Sequence, residues 1–204
     1  MTLPSCRKTG ALLLAMAAAG LANPSAARTV EYLSDLAAIR AAGEDQGIPG
    51  PFSEAPGPGP VVISLETPTA ADHQVIVASV LCQAYHIQNP ISTLLKNLVT
   101  TANGGPSNVV GRPTFLLRVL SGSTLLRCMN KDDISATCKA RVRISAEAIV
   151  TQPDGKVVTT PLIAQIERPG RVGGFCGNIA RYAGIVTREA GIDLIRQARL
   201  VAGG

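Results

Sequence analysis

Tryptophan is absent from this chain, and aromatic residues make up only 3% of it. That shortage removes the stacking platforms on which single-stranded nucleic acids lie, and it argues equally against a carbohydrate-binding face. Histidine is nearly as scarce, with His73 and His86 alone, so acid–base chemistry would rest on carboxylates. The sequence contains no G-x-S-x-G, no H-E-x-x-H, no P-loop and no dinucleotide fingerprint, which removes the common hydrolase, zinc-protease and nucleotide-binding signatures. Among its carboxylates, Asp72, Asp132, Asp133, Asp154, Glu147 and Glu167 mostly have turn, cap or strand-face explanations. Long apolar runs are also missing after the first thirty residues, so no later segment is expected to span a membrane.

The first residues are different. Arg7 and Lys8 precede an apolar run from Ala11 to Ala22, followed by Pro24 and the small residues Ser25, Ala26 and Ala27. This is the pattern of a secretory signal with an A-x-A-like cleavage site. Twelve apolar residues span roughly 18 Å as a helix, short of a bilayer core of about 30 Å, so a signal peptide over 1–27 is expected rather than an anchor. Cys6 lies before the apolar run, not after the cleavage site, so no lipid is expected on it. The mature chain is therefore expected to be periplasmic or secreted. Removing Arg7 and Lys8 from 19 basic residues leaves 17 against 14 acidic ones, a mild excess that argues for no nucleic-acid partner.

Four cysteines remain: Cys82, Cys128, Cys138 and Cys176. An even number in an oxidising compartment reads as disulfides. Pairing the strand that ends at Cys128 with one that begins near Cys138 sets Leu126 opposite Ala140, both on the apolar parity, and makes the two cysteines cross-strand neighbours at disulfide distance. Asp132 and Asp133 then belong at the tip of the hairpin. Cys82 is left for Cys176, closing a loop of about 95 residues worth on the order of 4 to 5 kcal/mol in chain entropy. Two alternatives stand beside this: a zinc site from Cys82, His86, Cys128 and Cys138, which lacks the usual CxxC pairs, and a nucleophilic Cys176 at a helix start with His73 or His86 as base. No metal or cofactor is expected.

Residues 28–60 read as an N-terminal arm and linker, since five glycines and five prolines fall between positions 41 and 60, a semi-rigid extended composition. A single α+β domain is expected over 61–204: an antiparallel meander of three to four strands packed against helices, with a long C-terminal helix. Val61 to Leu65 is a short strand. Thr69 and Asp72 have the spacing of a capping box ahead of a helix, although Val75, Ile76 and Val77 favour a strand. A helix follows with Asn89 as cap, Pro90 as its first residue and Gly104 as its stop.

The alternation from Ala136 to Val150 marks a long strand with one buried face. A three-residue turn of Pro153, Asp154 and a left-handed Gly155 pairs Val150 with Val158, Ala146 with Leu162, Ile144 with Ala164, Val142 with Ile166 and Arg141 with Glu167. A two-residue turn would oppose buried and polar faces. Pro161 places the second strand at an edge. Upstream, Ser121 and Gly122 mark a bulge at which the inward parity changes. The stripe Ile179, Tyr182, Val186, Ala190, Leu194 and Ala198 makes the last helix, and Gly184 and Gly191 give it a ridge of close backbone approach.

Two surface features remain. Arg168 and Arg171 beside Gly173 and Gly174, just before the last helix, could hold a phosphate or carboxylate. Lys139, Arg141 and Arg143, with Arg127, form a cationic strip on the wet face of the sheet, whose natural partners are anionic surfaces. Together these point to a non-catalytic binding or assembly accessory protein of the cell envelope, presenting a basic sheet face and a C-terminal helix to a partner or anionic surface. The alternatives are a small secreted enzyme using Cys176 or carboxylates, and a small-ligand carrier.

Overall fold

The structure, a computed structural model, describes residues 28–29, 52–78, 87–105, 112–130, 135–173 and 176–203. Five short strands come first: β1 (Arg28–Thr29), β2 (Val62–Glu66), β3 (His73–Gln74), β4 (Ile76–Ala78) and β5 (Ile87–Asn89). Helix α1 (Ile91–Asn103) leads into three 17-residue strands, β6 (Thr114–Asn130), β7 (Ser135–Thr151) and β8 (Val157–Gly173), and then the long helix α2 (Cys176–Gly203). The main sheet runs β2-β6-β7-β8, with β4 following β2 along the same edge of β6. Both short strands lie parallel to β6, while β6, β7 and β8 form the antiparallel meander. A small second sheet orders β1-β5-β3. This is the α+β architecture expected from the sequence.

The meander keeps the register read from its hydrophobic pattern. Val150 faces Val158, Ala146 faces Leu162, Ile144 faces Ala164, Val142 faces Ile166 and Arg141 faces Glu167. At the turn, Gly155 has φ +83° and donates its N–H to Gln152, whose own N–H reaches the carbonyl of Lys156. The hydrogen-bonded pair at 152 and 156 makes the even-numbered residues of β8 face β7 through their backbone groups. Pro161 and Pro169 fall on the odd set, so their missing donors cost no bond in the ladder. β8 is the edge of the sheet, as Pro161 indicated.

On β6 the inward residues are Phe115, Leu117 and Val119, and then Thr124 and Leu126. The switch from odd to even happens at Leu120, the extra residue between Val119 paired with Ala146 and Ser121 paired with Ser145. The expected bulge is therefore present one residue upstream of Ser121. Without it, one half of β6 would turn its apolar side chains to solvent.

The inner face of the sheet is covered by α2, and α1 packs on α2 in turn. Gly191 makes that helix contact possible, because a Cβ there would stand 2.8 Å from the Leu98 side chain. The glycine ridge thus serves packing inside the domain, and α2 from Tyr182 to Ile192 is buried on every side. Tyr182 reaches the sheet, where its hydroxyl accepts from Ala140 N–H at 3.1 Å and donates to the Arg168 carbonyl at 2.5 Å. Burial pushes its phenol up to about 12.

Three local expectations are corrected. Residues 73–78 are strand, not helix: only the 3-10 turn Thr69–Ala71 forms, and the β-branched Val75–Val77 cluster prevails over the capping-box spacing. Asp72 does cap a helix, but it is α1, where its carboxylate takes the Ser92 N–H at 2.7 Å and the Ser92 hydroxyl at 2.6 Å. Asn89 is not that cap, and α1 starts at Ile91 with Pro90 outside it. Gly104, at φ 77°, ends α1 as expected. Third, the linker expected up to residue 60 packs on the domain from Phe52 onward. Phe52 joins the core, Ser53 binds Glu189, and Arg196 donates to the Glu54 carbonyl at 3.1 Å.

Asn89, wholly buried, anchors a polar chain through the core. Its amide donates to Thr124 at 2.9 Å and to Thr187 at 2.8 Å. Thr187 donates to the Ala183 carbonyl, and Thr124 Oγ1 lies 2.8 Å from His73 Nε2. His73 Nδ1 faces the Ala71 carbonyl at 3.2 Å. A carbonyl only accepts, so the proton sits on Nδ1, and the neutral Nε2 accepts from Thr124. Burial lowers the His73 pKa below its ordinary value, against smaller opposing effects of the Ala71 bond and Asp72.

Two predictions follow from this packing. In Gly122→Ala the new Cβ would lie 2.8 Å from the Ala71 carbonyl and 2.4 Å from Ile91 Cδ1, so the variant is expected to lose about 1–3 kcal/mol, read from its denaturant midpoint. Because the folded-state pKa of His73 is depressed, its contribution to stability is full above the unfolded value of about 6.5 and is lost as pH falls through the folded pKa. Wild-type unfolding free energy is expected to decline as pH falls below about 6.5; a His73→Asn variant with the same decline would contradict this network.

Candidate anion-binding face

The outer face of the meander carries the charged parity of the sequence. At the Cys128–Cys138 end its cross-strand rows are Met129–Thr137–Arg171, Arg127–Lys139–Pro169, Leu125–Arg141–Glu167 and Ser123–Arg143–Gln165. Among the described residues these rows hold five cations and one carboxylate. At the opposite end Arg118 lies among Glu66 and Glu147 and is balanced, with Nε 3.1 Å from Glu66. The field of the face is therefore concentrated at one end.

Glu167 is shared by two of the cations. Arg141 Nε and Nη2 lie 2.7 and 2.6 Å from its Oε2, and Lys139 Nζ contacts its Oε1. The Lys139 bond first, and then the Arg141 bond, hold the Glu167 carboxyl below the usual carboxylate range. Arg127 and Arg143 make no ion pair with any described residue. Leu125, Arg127, Lys139, Arg141 and Glu167 line a shallow hollow. Beside it β4 pairs Ile76 with Leu125 and leaves Ile76 64% exposed, and Met129 is 75% exposed.

The cystine sits beneath this face. Cys128 and Cys138 are bonded, and they are cross-strand partners exactly one row from Arg127 and Lys139. Two sulfurs of the alternative zinc set are thereby occupied. Cys82, His86, Asp132, Asp133 and the signal segment 1–27 lie outside the described residues, while Cys176 opens α2. His73, the candidate base for Cys176, has both ring nitrogens engaged in the core.

The second anion site from the sequence is not assembled. β8 continues to Gly173, so Arg168 and Arg171, three residues apart in a strand, point to opposite faces. Arg168 turns inward, where its Nη2 lies 3.0 Å from the Glu189 carboxylate. Glu189, 3% exposed, also takes the Ser53 N–H at 2.5 Å and the Ser53 hydroxyl at 3.2 Å. Arg171 instead joins the outer face. Gly173 is strand backbone, and Gly174 lies outside the described residues.

Lys139, Arg141 and Arg143 stand in successive rows of the outer face of β7, with Arg127 opposite Lys139. The sequence reading missed the apolar companions Ile76 and Met129, and it missed Lys139 as a partner of Glu167. The register could have found the last, since Lys139 and Glu167 are diagonal neighbours on one face.

No protein-family model matches the chain, and no curated protein matches it. Among solved structures, a crystal structure of a Xanthomonas campestris protein assigned to the DUF330 family shares 12% identity with a TM-score of 0.34, covering 85% of this chain and 97% of that one. A likeness that weak carries nothing about function. No helix among the described residues is long and apolar enough to cross a membrane.

Proposed function

We propose that this is a non-catalytic binding or assembly accessory protein of the cell envelope, periplasmic or secreted, which presents the basic outer face of its sheet to an anionic surface. The observation that carries the reading is the strip of Arg127, Lys139, Arg141 and Arg143 at one end of the outer face, where Glu167 is the carboxylate that the cross-strand rows of described residues set among them. Export is supported by the signal pattern of the first 27 residues and by the Cys128–Cys138 bond, which suits an oxidising compartment. The C-terminal helix has no part in the proposal as a docking element, because its stripe and its glycines are used inside the core.

Binding through such a face is a matter of clustered charge and is screened by salt over about 8 Å at physiological ionic strength. Purified protein is expected to be retained on immobilised polyglutamate at low salt and to elute as salt rises. Arg127→Glu with Arg143→Glu reverses two cations that hold no ion pair with a described residue, and exposed changes of this kind alter stability by about 0.5 kcal/mol or less. The double variant is expected to elute at clearly lower salt with an unchanged melting temperature. Equal retention of the variant, or no retention of the wild type at low salt, would remove the basis of the proposal.

A further inference from the structure

The outer face carries more than charge. Leu125 supplies an apolar wall to the hollow, with Arg127, Lys139 and Arg141 around it. Met129 lies just beyond Arg127 on β6, and Ile76 lies beside Leu125 on β4. Both project into solvent, 75% and 64% exposed. An acidic polypeptide would answer the cations and leave these two side chains without a counterpart. A lipid interface answers both, because phosphates pair with the cations while apolar side chains enter the acyl boundary beside them.

Resting on the reading of this face as an anion-binding surface, we infer that its occupant is an anionic bilayer, with the phosphodiester of a lipid headgroup seated in the hollow against Arg127, Lys139 and Arg141, and Met129 and Ile76 inserted on either side. Glu167 is then the site's own counterion. It pairs with both Lys139 and Arg141 in the free protein and must give way when a phosphate takes its place. This makes Glu167 a brake on binding, opposite in effect to a merely structural ion pair. Arg127, with no such carboxylate among the described residues, is the cation that meets the phosphate first.

The two edges of the sheet favour a face-on encounter over strand addition. On β8, Pro161 and Pro169 have no donor to offer the open edge, and Gln197 of α2 covers the Ile163 carbonyl at 3.1 Å. On β2, Asn103 of α1 bonds both the N–H and the carbonyl of Ile63 at 2.9 Å.

The test is vesicle flotation of the purified protein at low salt, with vesicles of phosphatidylcholine alone and with added phosphatidylglycerol, in parallel with polyglutamate retention. Wild-type protein is expected to float with the phosphatidylglycerol vesicles only. Glu167→Gln, which adds one unit of net positive charge, is expected to bind about fivefold tighter, and Met129→Ser with Ile76→Ser about tenfold weaker. Thermal unfolding of each sample confirms the fold, and the exposed serine pair serves should Glu167→Gln fail to fold. Unchanged or weaker binding by folded Glu167→Gln overturns the hollow as the headgroup site while the broader proposal stands. Retention on polyglutamate without vesicle binding overturns the lipid in favour of an acidic protein. Failure of both overturns both readings.

Discussion

The pairing register of the three long strands is the constraint on which the rest of the structure depends. Strand side chains alternate with period two, so a slip of one residue would exchange the faces of β7. Lys139, Arg141 and Arg143 would then press on α2, and Val142, Ile144 and Ala146 would face water. Burying unpaired cations is far costlier than any local rearrangement can offset. Three devices hold the register. The Pro153–Gly155 turn, with Gly155 at φ +83°, sets it between β7 and β8, the Cys128–Cys138 bond fixes it between β6 and β7, and the bulge at Leu120 corrects the parity of β6.

With that register fixed, the inner face becomes a surface of small and branched side chains, Ala136, Ala140, Val142, Ala146 and Ala148 among them, close enough for a helix to lie down on it. α2 does so, and its other sides are covered by α1 and the segment from Phe52. Three of the polar side chains that this enclosure buries are answered from neighbouring elements: Asn89 by two threonines, Glu189 by Arg168 and Ser53, Tyr182 by the β7 and β8 backbones. Each such link ties elements distant in sequence, because a buried polar group left alone costs more than a made bond returns.

The parts of the fold legible in the sequence are those whose information is local. Ala136 to Val150 alternates without interruption, and the turn after it admits one loop length, so β7, β8 and their pairing were readable residue by residue. Asp72 shows the limit of local spacing. It has the form of a helix cap, and it is one, but nothing in the chain around it says that the helix it caps starts at Ile91 and that its bond goes to Ser92, twenty residues on. Asn89 has cap chemistry too, and tertiary burial claims it instead. Arg168 and Arg171 stand just before the last helix in the sequence, and Pro169 and Gly170 between them look like a break in the strand. On an edge strand, however, a proline directed away from the ladder interrupts nothing, and the strand continues past it. The basic strip was legible because it shares the parity of β7; its apolar flank was not, since Ile76 reaches it through a parallel pairing across some fifty residues of chain.

The central claim is that the cystine end of the outer sheet face is the part of the molecule that meets an anionic bilayer. The absence of native tryptophan permits a direct measurement. One indole is placed at Met129, at the basic end, and in a separate variant another at the exposed Val157, at the far end of β8. Each variant is then mixed with phosphatidylglycerol vesicles carrying brominated acyl chains, and its fluorescence is followed. The account predicts quenching and a blue shift at position 129 and neither at 157. Quenching at 157 with none at 129 would show that the protein meets the bilayer by another surface, and would contradict the claim.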